Sequence, residues 1–427
     1  MEDNQELPGY TLRASSSQAS HTVSRTRSEY TISREDHQGH KWLLLSVKSR
    51  APKSDFLPIF YDGDLISGRV TLNIEKSESL KSITVKVTAG TTLVGQEEQQ
   101  FLVVEKELWS PATVLGTSKV SKLEKGHYVW PFEFTLPGEA EVLDRKENKT
   151  FPLPPSFTER ASPAYINYKI TAFVRRGALG ANQSLTTEFA YVQITRPDLP
   201  SPILQLAYQE NFPLIGPDGD PDGWHVLPPT SVAGTIFGTK PVNVDFTLAL
   251  TKPLSYARGS AMPLRLTFTG TDEQALDILS APHATRVILT RSLDAGSHAT
   301  SDEPGKYAEI FVEIMARAVF WPASHVSTSG TRVLEGEVQL KKAFKQSVVF
   351  PRFAVRYHLE VHHFEVAGFV HAPPVSDPLL TQPVDITSFH APGIFMRSFA
   401  PPEYAQEQYE NFSNSVGLLG SRTWKAN

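Results

Sequence analysis

The sharpest chemical signal in the chain is Pro401-Pro402-Glu403-Tyr404, close to its carboxyl end. Two adjacent prolines bias the backbone towards polyproline II, so little entropy is lost when the segment docks in an aromatic groove. The Tyr ring then fills a neighbouring pocket, which is the pattern WW domains require of Pro-Pro-x-Tyr ligands. Roughly 0.1 such matches are expected by chance from the Pro-Pro pairs and tyrosines of this chain, so the motif stands above background. Leu7-Pro8-Gly9-Tyr10 is a weaker second version that lacks the first proline; Pro8 and Tyr10 read first as an ordinary loop. Ser16 and Ser28 follow basic residues in Arg13-Ala-Ser-Ser16 and Arg25-Thr-Arg-Ser28, a pattern basophilic kinases use and polar tails also show by chance.

Other reactive side chains point to structure. His358, His362 and His363 form one histidine cluster, but on a strand His358 and His362 share a face and His363 points away. No acidic third ligand has evident spacing, so they read as solvated or interface residues and no metal is assigned; a site that recruits Glu360 and Glu365 is the alternative. Asp62/Asp64 and Asp218/Asp220/Asp222 stand beside glycines and read as turn formers. Lys341-Lys-Ala-Phe-Lys345 reads as a solvated sheet edge, with contact to anionic lipid as the alternative. Gly-x-Ser-x-Gly, His-Glu-x-x-His and phosphate-cradling Gly-rich motifs are absent, so no catalytic residue and no cofactor is assigned.

Strands must position these residues. In Phe56–Glu75, Asp62-Gly63-Asp64 makes a turn, and Val70, Leu72 and Ile74 alternate with Thr71 and Asn73. Val85 and Val87 repeat the period. The unit recurs about 196 positions on, where Met262, Leu266 and Phe268 follow Gly259 as Ile66, Val70 and Leu72 follow Gly63. Two copies of one β-unit imply two similar β-domains. Further strands are expected at 42–47, 101–104, 128–137, 165–174 and 191–195, then at 242–250, 286–290, 310–314, 347–350, 357–361 and 384–387. Val384-Asp-Ile-Thr387 matches Val192-Gln-Ile-Thr195 at a spacing of 192, and Asp277-Ile-Leu-Ser reads as part of an insertion.

The chain has 427 residues, 40% of them hydrophobic, enough for two domains with real cores. A net charge of −5 argues against a general nucleic-acid binder. Zero cysteines exclude disulfides and thiolate chemistry and suit a cytosolic home. Met1–Glu6 is acidic with no apolar run, unlike a signal peptide, and no apolar stretch approaches membrane-spanning length.

The turn Tyr61-Asp-Gly-Asp64 before Ile66-Ser-Gly-Arg-Val-Thr-Leu72 resembles the amino-terminal domain of the arrestin family, and the branch it is most similar to is the fungal alpha-arrestins. Pro131-Phe-Glu-Phe-Thr-Leu-Pro137 and Tyr165-Ile-Asn-Tyr-Lys-Ile-Thr-Ala-Phe-Val174 extend the likeness. It implies an all-β fold of two tandem arrestin-like, immunoglobulin-like β-sandwiches with disordered termini. The expected division is a Ser/Thr-rich tail over 1–40, a first sandwich over 41–196, a Pro/Gly-rich linker over 197–230, a second sandwich over 231–390 and a tail with the Pro-Pro-x-Tyr motif over 391–427. The resemblance further implies a cytoplasmic, non-enzymatic adaptor, recruited to plasma membrane or endosomes with only peripheral membrane contact. Such an adaptor links membrane transporters or receptors, as cargo, to a WW-domain HECT-type ubiquitin ligase for endocytic sorting; Pro401, Pro402 and Tyr404 would dock the ligase. The alternative is a ligase-independent sorting scaffold of the retromer-subunit type. The buried charge cluster of visual arrestins is not identifiable from the sequence.

Overall fold

A computed structural model describes residues 28–36, 38–111, 122–177, 181–301, 309–323, 328–372 and 378–404. The candidate residues Pro8, Tyr10 and Ser16 lie outside them.

The first half contains β1 (Ser28–Glu35), β2 (Lys41–Ser49), β3 (Ile59–Tyr61), β4 (Leu65–Ile74), β5 (Glu78–Leu93) and β6 (Gln99–Trp109). It continues with β7 (Lys122–Leu123), β8 (Gly126–Thr135), β9 (Glu139–Asp144), β10 (Glu147–Pro152), β11 (Ala164–Arg176) and β12 (Gln183–Val192). One sheet runs β1-β2-β4-β8 and the other β3-β12-β11-β5-β6, with β7 against β5 and β9–β10 a separate hairpin. Alternation buries one face of each sheet. Leu43, Leu45, Val70, Leu72, Phe132 and Phe134 thus join Val85, Val87, Ile166, Tyr168 and Ile170 in one core.

The second half contains β13 (Trp224–Val226), β14 (Thr230–Ile236), β15 (Lys240–Thr251), β16 (Ser255–Ala257), β17 (Ala261–Gly270) and β18 (Val287–Gly296). There follow β19 (Glu309–Pro322), β20 (Thr331–Gln339), β21 (Val348–Phe350), β22 (Arg352–Val361), β23 (Phe369–His371) and β24 (Leu380–Thr387). They form one hydrogen-bonded path because β19 changes partner along its length: it pairs with β18 up to Arg317 and with β20 from Ala318. The fold is therefore an all-β double sandwich with, among the described residues, two short α-helices, α1 (Pro202–Glu210) and α2 (Glu273–Leu279).

The internal repeat is visible in the register. β3 runs parallel to β12 with Tyr61 opposite Val192, and β16 runs parallel to β24 with Ala257 opposite Thr387. In each copy a glycine of positive φ, 78° at Gly63 and 85° at Gly259, turns the chain into the next long strand. Val192 and Thr387 are the equivalent residues, so the Val-x-Ile-Thr match at a spacing of 192 is coincidental.

Three expectations need correction. Residues 28–35 are a strand, not tail: β1 pairs along all of β2, and its sequence hides this because only Tyr30 and Ile32 alternate as apolar residues on an edge strand. The 197–230 linker carries α1. Ser201 caps that helix by accepting from Leu204 N at 3.2 Å, and Pro202 fits its first turn, where an amide has no partner to lose. The segment from 391 is packed: Ala391 and Ile394 bury against Leu204 and Tyr208 of α1, beside Met396 and Phe399. Asp277 belongs to α2, a short helix whose Ala275, Leu276 and Leu279 pack down as an insertion between β17 and β18.

Candidate functional site

The turns that organise the repeat also position the domain junction. Asp64 accepts from Tyr61 N at 2.9 Å and takes a two-pronged ion pair from Arg50 at 2.7 and 2.5 Å. Tyr191 donates to Asp62 at 3.1 Å; burial, with Asp62 beside it, raises that phenol well above its ordinary range and keeps it a donor. Both aspartates are thus structural, as their place beside Gly63 suggested. Asp220 likewise accepts from Ser201 at 2.5 Å and from Gly223 N at 3.1 Å, tying the linker to the cap of α1.

Just past β12 and β24 the two halves clasp each other. Ser388 N donates to Thr195 Oγ1 at 2.9 Å, Thr195 N donates to Ser388 Oγ at 2.8 Å, and Phe389 N donates to Thr195 O at 3.0 Å. Arg196 lies over the Phe389 ring at 5.2 Å and donates to His390 O at 2.6 Å. Further along the junction, Phe157 meets Phe353 at 4.6 Å and Phe101 meets Phe350 at 4.7 Å between ring centres.

Between these contacts lies a buried charge cluster. Arg291 on β18 reaches Glu159 of the first half at 3.1 and 2.6 Å and also pairs with Glu313 on β19. Burial alone would lower the guanidinium pKa, but the Glu159 bonds override it and hold the group charged. Lys345 is drawn into the same place rather than onto a solvated edge. Burial pulls its pKa down; Glu159 opposes that shift, while Arg258 and Arg291 add to it. No local pattern marks this cluster, because Glu159, Arg291, Glu313 and Lys345 come from four separate segments.

The histidines do not converge. His362 faces Glu360 at 3.1 Å and His363 faces Glu365 at 3.1 Å, while His358 is partly buried with its pKa lowered by desolvation. Asp36, His40 and Glu75 come close enough to share an ion, but all three are exposed and hold one another in hydrogen bonds and ion pairs. Ser28 begins β1, and its hydroxyl donates to Ala51 O at 2.8 Å.

Pro401–Tyr404 closes the described chain. Tyr404 N donates to Pro401 O at 2.9 Å, making Pro402–Tyr404 a single 3-10 turn beside β19. Pro402 and Glu403 are exposed, and Pro401 and Tyr404 half-buried. The residues that fix this segment escaped the sequence reading: Ser398 and Phe399 both donate to Glu337, a buried carboxylate on β20. A glutamate at an inward position of an alternating strand was the available signal.

Residues 54–195 match the family model for arrestin (or S-antigen), N-terminal domain. Over these residues the chain is similar to the arrestin family. The match runs from the approach to β3 to just past β12, so the matched segment holds the first organising turn, strands β3 to β12 and Thr195 of the clasp, while β1 and β2 precede it. A curated relative, arrestin-related trafficking adapter 10 of Lachancea thermotolerans, is 29% identical over 133 residues, covering 23% of this chain and 31% of that protein. The chain thus spans about a third of the length of the curated relative it matches. No helix among the described residues is long and apolar enough to cross a membrane.

Proposed function

We propose that this chain is a non-enzymatic trafficking adaptor that presents membrane-protein cargo to a WW-domain HECT-type ubiquitin ligase. Pro401-Pro402-Glu403-Tyr404 carries the reading, since it follows the last strand and leaves two of its four residues exposed. Similarity to a trafficking adapter supports the adaptor role. The mechanism is proximity: binding cargo and ligase together makes their encounter effectively intramolecular, so no bond chemistry is asked of this chain. The protein works in the cytoplasm and is recruited to plasma membrane or endosomes through its cargo. Phosphorylation at Ser16, or at Ser28 once β1 peels from β2, would recruit a phosphate-reading partner.

A ligase-independent sorting scaffold is the second reading, favoured by the partial burial of Tyr404 in a 3-10 turn. Deleting residues 400–427 separates the two. An adaptor loses ligase recruitment and cargo turnover, whereas a scaffold keeps cargo sorting.

A further inference from the structure

Glu337 is 2% exposed, and among the described residues no cation pairs with it. A buried carboxylate without a counter-ion is costly unless donors saturate it. Here three donors do so: Gln339 Nε2 at 2.8 Å from its own strand, Phe399 N at 2.8 Å and the Ser398 hydroxyl. Two of the three come from the carboxyl-terminal segment, so the carboxylate and that segment complete each other. Phe399 also rests on Tyr208 of α1, with ring centres 6.1 Å apart. Only Ala400 separates this anchor from Pro401.

That short tether bears on the ligand motif. A WW groove takes the motif in extended polyproline II, with ψ near +145°, whereas the 3-10 turn that begins at Pro402 bends Pro402 and Glu403 towards ψ near −25°. The hydrogen bond from Tyr404 N to Pro401 O closes the turn, and Tyr404 is half-buried beside β19. We infer that the Glu337–Ser398/Phe399 contact is an autoinhibitory latch that keeps the Pro-Pro-x-Tyr motif closed, and that negative charge placed on Ser398 opens it. This rests on the ligase-docking reading above. Ser398 is itself exposed, so a modifying enzyme can reach it. Phosphoryl transfer from a nucleoside triphosphate to Ser398 Oγ, with release of the hydroxyl proton and the nucleoside diphosphate, removes the donor. It also sets close to two negative charges against Glu337.

The test compares full-length wild type with Ser398→Asp and Ser398→Ala, titrating each with an isolated WW domain and following amide hydrogen exchange over residues 396–404. If only the open state binds, apparent affinity scales with its population. Losing one charge-assisted bond and gaining repulsion then predicts about tenfold tighter binding for Ser398→Asp, and a smaller gain for Ser398→Ala. Exchange at Phe399 and Tyr404 should accelerate in the same order. Equal affinities within twofold together with unchanged exchange would overturn the latch. Should no variant bind a WW domain, the ligase reading fails, and hydrogen exchange still decides whether Ser398 and Glu337 hold the segment. Should Ser398→Asp fail to fold, Ser398→Ala carries the test by the same two readouts.

Discussion

Replacing Arg291 by Met should loosen the two sandwiches from each other, and its size can be argued from the geometry. The Arg291 side chain is 6% exposed and bridges Glu159 of the first half to Glu313 of the second. Met keeps the stem and removes the charge. Loss of one partner from a fully buried pair costs about 3–5 kcal/mol. Glu159 is 24% and Glu313 35% exposed, so water can solvate both carboxylates once the guanidinium is gone. The expected loss is therefore lower, about 2–3 kcal/mol. Glu159→Gln leaves Arg291 its Glu313 partner and should cost about 1–2 kcal/mol. The double variant should fall short of the sum by about 1–2 kcal/mol, because both changes remove the same bonds. Urea denaturation of the four proteins at one salt concentration measures the cycle. Additivity within about 0.5 kcal/mol, or single losses below that size, would refute the idea that this cluster couples the domains.

Three further outcomes follow from local geometry. Gly68→Ala builds a Cβ 2.2 Å from Ser46 O and 2.6 Å from the Phe132 ring, so thermal melts should show a loss of about 2–3 kcal/mol. Gly63→Ala meets nothing within 4 Å and costs only the left-handed backbone, about 1 kcal/mol, so the two alanines should rank in that order. His358 has its pKa depressed by burial, so its neutral form is favoured in the folded state. Its contribution is present above the ordinary histidine value of about 6.5 and is lost as pH falls through the lowered value. Stability measured from pH 7.5 to 5 should therefore drop less steeply in His358→Gln than in wild type.

The sequence revealed most where period and turn chemistry agree. Val242–Leu250 alternates strictly and lies within β15, and the Phe132/Phe134 alternation lies within β8. Gly63 and Gly259 could be matched because a positive-φ turn before a strand has few residue solutions. What escaped notice depends on partners far away in sequence. β1 is stabilised by its ladder with β2 more than by its own apolar residues, and α1 is a short helix buried by a strap almost two hundred residues later. The last strand of the first domain was expected at 191–195, but it occupies Gln183–Val192, where polar Thr186, Thr187 and Glu188 break the apolar signal. Of the docking site, the motif was legible and its closed conformation was not. Nothing within four residues shows that Phe399 and Ser398 answer a carboxylate on β20.

The central claim is that Tyr404 is the anchor by which this chain, similar to arrestins over residues 54–195, recruits a ligase. Titrating full-length wild type and Tyr404→Ala with the WW domains of a HECT-type ligase, alongside thermal melts of both proteins, tests it directly. A short peptide motif buries little area, so the wild-type Kd should lie in the micromolar range, about −7 to −8 kcal/mol. Emptying the Tyr pocket should weaken binding by on the order of 2 kcal/mol or more, the scale of an interface hot spot. Because Tyr404 is only half-buried at the end of the described chain, the melting temperature should move little. Equal binding by the two proteins would contradict the account.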